Sequence, residues 1–198
     1  SLRAALLTGE QLELTDPGES EDFGVDWNDP QALVENGERE PTEPWTWAGP
    51  RRRVVGPTWG GCLEVLDWVL AADRFPLPSE VLRGAVLLVE TSELMPSAEQ
   101  VGWVLRSMGE RGLLAEVAGV LVARPPVSDR DDRPDAAQRA VRRAAQRDVV
   151  IATVMHYNPD AVVCVGAPFG HTRPQWIVPH GGTVELDGVE RRVHASYA

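Results

Sequence analysis

Five consecutive apolar residues ending on a carboxylate, Ala85-Val-Leu-Leu-Val-Glu90, constrain this chain more than any other stretch. A short run that is apolar at every position reads as a buried strand. The segment after it is a helix with well-marked ends. Ser97 and Gln100 have capping-box spacing, Val101, Val104, Leu105 and Met108 recur on one face, and Gly112 stops the pattern after Arg111. Val117–Val122 reads as the next strand. A buried strand, a capped helix and a second strand in that order predict an α/β domain rather than a bundle or a sandwich.

The same alternation extends in both directions. Upstream, Arg51–Val55 reads as a strand that ends in the turn Gly56-Pro-Thr-Trp-Gly-Gly61 and feeds a helix over Cys62–Ala72, closed by Asp73–Pro78. Paired glycines at such a turn bring backbone N–H groups close to a ligand, or simply allow tight packing. Downstream, Arg124–Pro134 is charged enough to read as a solvated connection. Asp135 then caps a helix that runs through Val141, Ala145 and Ala152. The β-branched run Val149–Val154 would equally suit a strand, but the apolar spacing and the Asn158-Pro159 break favour helix. Ala161–Val165 is another strand, and Asp187-Gly188 marks a hairpin between Thr183–Leu186 and Val189–His194. The predicted fold class is α/β with a mixed sheet.

The start of the chain differs. Ser1–Gly9 resembles the end of a helix with a glycine stop, and Gln11–Leu14 alternates like a strand. Thr15–Pro50 is rich in Asp, Glu, Gly and Pro yet keeps Trp27, Trp45 and Trp47. Disordered segments are poor in aromatics, so this acidic stretch is expected to wrap over another surface.

Composition excludes several function classes. The formal net charge is −11 over 198 residues, which argues against nucleic acid or an anionic membrane as partner. No apolar run approaches the roughly eighteen residues of a membrane-spanning helix. The chain has no lysine, which removes Schiff-base chemistry and a phosphate-binding Walker lysine. Cys62 and Cys164 lack metal-ligand spacing and read either as reduced residues of a cytoplasmic protein or as a single disulfide. The four histidines show no HExxH spacing, so no metal is predicted, and no cofactor.

Two residues carry the candidate chemistry. Glu90 stands at the end of a buried strand, where open α/β sheets present functional groups, although a solvated strand-end carboxylate is the plainer reading. His171 lies in Gly166-Ala-Pro-Phe-Gly-His-Thr-Arg-Pro-Gln175, with glycine before it and proline after. That frame suits a general base, and equally a loop histidine satisfied by local hydrogen bonds. A Glu and a His match two members of a hydrolytic triad. The nucleophile is missing: there is no G-x-S-x-G elbow, and neither cysteine has an activating neighbour in sequence.

Three ordered motifs then point to a family. Gly60-Gly61-x-Leu63, Leu87-Leu-Val-Glu90 followed by Ser92, and Gly170-His-Thr-x-Pro174 with Pro179-x-Gly181 together resemble the LD-carboxypeptidase family. That family includes muramoyltetrapeptide carboxypeptidases and the microcin C immunity peptidases. The resemblance implies a swivelling β/β/α C-terminal domain at 51–198, preceded at 1–50 by a helix end and the acidic segment. It implies that Glu90 and His171 belong to a Ser-Glu-His triad whose serine lies in an upstream domain not included in this chain.

On this resemblance the chain is the C-terminal part of a cytoplasmic, homodimeric serine peptidase of peptidoglycan recycling, inactive without its N-terminal domain. The substrate is a murein peptide with an L–D bond, or a peptidyl or aminoacyl nucleotide as in the microcin-immunity branch. In that branch an aromatic residue ahead of the paired glycines stacks on a nucleobase. Trp27 falls in that segment, as a stacking residue or as cover for an inter-domain seam. Trp59, beside Gly60, either lines the substrate cleft or packs under the loop. Where the family usually has asparagine after its glycine pair, this chain has Cys62. A non-catalytic binding or dimerisation module, with the acidic segment clasping a partner, is the reading from another class.

Overall fold

The computed structural model describes residues 1–73 and 79–198. Its centre is a parallel ladder. β5 (Arg53–Cys62), β6 (Val86–Glu90), β7 (Gly119–Ala123) and β8 (Val162–Ala167) lie side by side in that order, all parallel. The connections between them carry helices α1 (Leu63–Ala72), α2 (Ser79–Leu82), α3 (Ala98–Glu110), α4 (Leu113–Glu116) and α5 (Ala136–Tyr157). Parallel strands need such crossovers, which is why the sequence alternates as it does.

The remaining strands complete an eight-stranded mixed sheet. β9 (Thr183–Asp187) and β10 (Arg192–Ser196) form an antiparallel hairpin, and β1 (Gln11–Leu14) pairs outside β10. β5 belongs to both halves of the sheet: Arg53–Pro57 pair antiparallel with β9, and Thr58–Cys62 pair parallel with β6. At the opposite edge β4 (Thr46–Ala48) pairs antiparallel with β8. A separate two-stranded ribbon joins β2 (Glu19–Ser20) to β3 (Glu40–Pro41).

Side-chain alternation divides the core in two. Leu87, Val89, Val120, Val122, Val163 and Val165 face the helices and pack on Leu66, Leu105, Met108 and Val154. Their neighbours Val86, Leu88, Leu121, Val162 and Cys164 face the other way, where Leu186, Val193, Ala195 and Phe169 cover them. The central strands are therefore buried on both faces, and their sequences are apolar without alternation. The helices hold their ends as the sequence indicated. Ser97 and Gln100 cap α3 reciprocally at 3.2 and 2.8 Å, and Asp135 and Gln138 do the same for α5 at 2.8 and 3.0 Å. Each such cap stabilises its helix by about 1 kcal/mol.

Several expectations are corrected. Gly56–Gly61 is not a turn but the second part of β5. Gly60 and Gly61 stay in the ladder at φ +126° and +142°, and a Cβ on Gly60 would lie 2.1 Å from the Leu88 carbonyl oxygen. The second arm of the hairpin begins at Arg192, with Val189–Arg191 in the turn, whereas Val149–Val154 is helical, as its apolar spacing favoured. The expected close of α1 reaches into residues 74–78, which lie outside the described residues. The acidic segment covers this domain itself, supplying β2, β3 and the edge strand β4. Both cysteines are free, so no disulfide joins them.

The largest correction concerns Arg124, the first residue of the Arg124–Pro134 connection. Far from being solvated, the Arg124 side chain is 4% exposed and meets Asp22, itself 3% exposed, at 2.5 Å and Glu40 at 2.7 Å. Asp22 also accepts hydrogen bonds from the Val127 N–H and the Ser128 hydroxyl, both at 2.9 Å. Arg139 and Arg143, on α5, reach the same Glu40 at 2.9 Å each, and Arg143 reaches Glu43 at 2.6 Å. Arg124 is thus buried against carboxylates of the acidic segment, whereas Arg130, Asp131, Asp132 and Arg133 stay exposed, as a solvated connection would be.

Candidate active site

The carboxyl ends of β5 to β8 come together at one rim of the sheet, the usual location of sites in open α/β folds. Cys62 ends β5 and is the register partner of Glu90, which ends β6. Arg124 follows β7, and its N–H donates to the Ala167 carbonyl at the end of β8 at 2.9 Å. The loop that leaves β8 carries His171 back across this rim.

His171 and Glu90, 81 residues apart, meet there. Nδ1 of His171 lies 2.6 Å from Oε2 of Glu90. A carboxylate can only accept, so Nδ1 carries a proton, and in the neutral ring the lone pair is then on Nε2. Glu90 is 9% exposed, whereas the His171 side chain is 40% exposed, so one ring nitrogen is anchored inside and the other faces outward. Gly170 permits this approach. Its φ is +82°, and a Cβ there would lie 2.8 Å from Glu90 Oε2.

The histidine loop is fixed along its length. The Thr172 hydroxyl donates to the Arg124 carbonyl at 3.3 Å, and the Trp176 N–H donates to the Pro168 carbonyl at 2.7 Å. Glu21 and Arg173 form a two-way backbone bridge at 2.8 and 2.9 Å, which sews the acidic segment to the loop. Trp176 Nε1 donates to the Thr15 carbonyl at 2.9 Å.

Two residues not singled out from the sequence, Glu93 and Glu64, also belong to this rim. Glu93, three positions after Glu90, places Oε2 3.3 Å from Nε2 of His171. Glu64, in the first turn of α1, accepts from the Ser92 N–H at 3.0 Å and from the Ser92 hydroxyl at 2.8 Å. Burial is the largest single influence and opposes the charge on Glu64, but hydrogen bonds from Ser92, from its own N–H and from Cys62 together hold the carboxyl below its usual range. Burial, with the Glu64 and Glu90 carboxylates added, pushes the Cys62 thiol up, which disfavours the thiolate and a nucleophilic role. Only Glu93 had a visible signal, its closeness to Glu90 in sequence.

The two tryptophans sit apart from this pair. Trp59 is half-buried in β5, against the helix-side core, with Leu87 as its register partner. Trp27 is 73% exposed, beside an ion pair between Asp26 and Arg130. Among the described residues, no group of three His, Cys, Asp or Glu side chains is arranged to hold a metal ion.

The fold and rim define a mixed-sheet α/β domain that presents a carboxylate–imidazole pair at its strand ends. The family model for the LD-carboxypeptidase C-terminal domain matches residues 55–186, and the chain belongs to this peptidase family. No curated protein matches the chain. Among solved structures it is similar to an MccF-like protein from Streptococcus pneumoniae in complex with AMP, with 19% identity and a TM-score of 0.74, over 99% of this chain and 56% of that one. It is also similar to the microcin C7 self-immunity protein MccF, at 17% identity and a TM-score of 0.70, over 94% and 50% of the two chains. An MccF-like protein from Bacillus anthracis str. Ames gives 15% identity and a TM-score of 0.67, over 98% and 54%. The chain thus spans about half the length of these proteins, and the likeness establishes the fold.

Proposed function

We propose that this domain supplies the base and the orienting carboxylate of a serine hydrolase that cleaves an amide bond. The observation that carries this reading is the 2.6 Å contact between Glu90 and His171 at the sheet rim. With Nδ1 committed to Glu90, Nε2 takes the proton of a serine hydroxyl supplied by an upstream domain and then hands it to the leaving amine. Glu90 holds the ring in the required tautomer and offsets the positive charge that forms. Glu93 yields its place beside Nε2 as the hydroxyl arrives, because a lone pair needs a donor there.

In the full-length protein, His171→Ala and Glu90→Gln are each expected to lower kcat on the order of 10³-fold or more. Near-normal turnover in either variant would sink the assignment. The isolated chain is expected to be inactive on the same substrate.

The substrate class follows the family: a murein peptide with an L–D bond. A second reading is supported by the structural relatives, since the S. pneumoniae protein was solved with AMP and MccF with aspartyl sulfamoyl adenosine. On that reading the substrate is an acylated nucleotide and the exposed Trp27 is its stacking face. Assaying the full-length enzyme on both substrates, with Trp27→Ala alongside, separates them. Loss of turnover in Trp27→Ala on the nucleotide substrate alone selects the second.

A further inference from the structure

Glu90 stands where its own ladder gives out. The β6–β7 register ends at Val89 and Val122, so Glu90 has a strand partner on one side only, Cys62 of β5. The next residue does not brace it either, because the Thr91 hydroxyl is buried without a hydrogen-bond partner. The first firm hold beyond the strand is Ser92, and that hold is Glu64.

One oxygen of Glu64 takes both the N–H and the hydroxyl of Ser92, at 3.0 and 2.8 Å. The Ser92 hydroxyl in turn accepts from the Leu94 N–H at 3.1 Å. The other oxygen of Glu64 lies 3.3 Å from the Cys62 sulfur, beside Glu90's only strand partner. A single carboxylate on the first turn of α1 therefore ties the ends of β5 and β6 together. It also shapes the loop that brings Glu93 to Nε2 of His171. The same donors keep it ionised, the state in which it accepts best.

We propose that Glu64 is a positioning residue for the Glu90–His171 pair, acting through Ser92 to hold the Glu90 carboxylate against Nδ1. The proposal rests on the reading of that pair as base and orienting group. Glu64 also sits at a helix N-terminus, where a carboxylate stabilises the helix whatever lies nearby. A purely structural role would alter thermal stability and leave His171 unaffected, so the test must read the imidazole itself.

Ring-nitrogen chemical shifts of His171, from long-range ¹⁵N–¹H correlation on this chain with the ring neutral, report which nitrogen carries the proton. The wild type is expected in the Nδ1–H form, the minor tautomer of a free imidazole in water. Glu64→Ala and Ser92→Ala are each expected to shift the ring toward the Nε2–H form, and the double variant to go no further than either alone. Glu64→Gln, which keeps an acceptor oxygen for Ser92, is expected to retain most of the Nδ1–H form. Should Glu64→Ala fail to fold, Ser92→Ala carries the test with α1 and its carboxylate intact. An Nδ1–H tautomer unchanged in Ser92→Ala, or in folded Glu64→Ala, overturns the positioning role and leaves the pair standing. A wild type already in the Nε2–H form overturns the pair itself, and the role of Glu64 with it.

Discussion

Gly170 concentrates the demands of the site on one residue. It needs a left-handed backbone at φ +82°, and it needs empty space where the Glu90 carboxyl group lies. Gly181 shares the first demand at φ +75° but not the second, since nothing lies within 4 Å of a Cβ there. Gly181→Ala is expected to cost about 1 kcal/mol of unfolding free energy, for backbone strain alone. Gly170→Ala is expected to cost about 2–4 kcal/mol by denaturant titration and to lower activity of the full-length protein as Glu90 is displaced. Equal losses in the two variants would refute the close packing of Gly170 on Glu90. His171 and Glu90 were legible because each has a distinctive frame, a Gly-His-Thr loop and an apolar run ending on a carboxylate. Glu64 was not, because its role depends on Ser92, 28 residues away, and only the parallel pairing of β5 with β6 brings the two together.

Among elements, the helices were the most legible. The capping boxes of α3 and α5 are local, and local interactions can be read directly from residue order. The acidic segment and the start of the Arg124–Pro134 loop were the least legible, because nothing in the sequence of either names the other as its partner. Asp22 and Arg124 are 102 residues apart and neutralise each other out of water. Removing one partner leaves the other charge buried and uncompensated, which typically costs about 3–5 kcal/mol. Arg124→Ala is therefore expected to destabilise the fold by that amount. It should also make residues 15–50 the first site of limited proteolysis. Wild-type melting and an unchanged cleavage pattern would show that the clamp contributes little. β5 was misjudged for a related reason. Its glycines and proline suggest a turn, yet the Leu88 carbonyl packs so closely that only glycine fits at position 60 within the ladder.

At the level of the whole molecule, two electrostatic effects compete as the pH falls. The formal net charge of −11 repels itself, and titration toward the sequence pI of about 4.8 relieves that repulsion. Against this stand carboxylates whose protons bind less tightly in the fold. Asp187 is held below its usual range by the Glu190 N–H and by Arg53, and Glu64, against its burial, by hydrogen bonds from Ser92, its own N–H and Cys62. A group lowered in this way contributes stability that is full above its unfolded value and is lost as the pH drops through its folded value. The urea midpoint is therefore expected to hold or rise slightly from pH 7 to about 5 and to fall below about pH 4. Asp187→Asn should flatten the acid limb, and a limb of unchanged steepness would exclude Asp187 as a contributor.

β5 gives the hairpin a task at a distance. Its first half is measured off against β9 from Arg53 opposite Asp187, and its second half delivers Gly60, Gly61 and Cys62 to the rim. Because strand side chains alternate, a slip of one residue anywhere along β5 would turn all of them over. The Asp187-Gly188 turn, at the far end of the strand from His171, thus acts as the zero mark of a ruler whose last graduations are Cys62 and the first turn of α1.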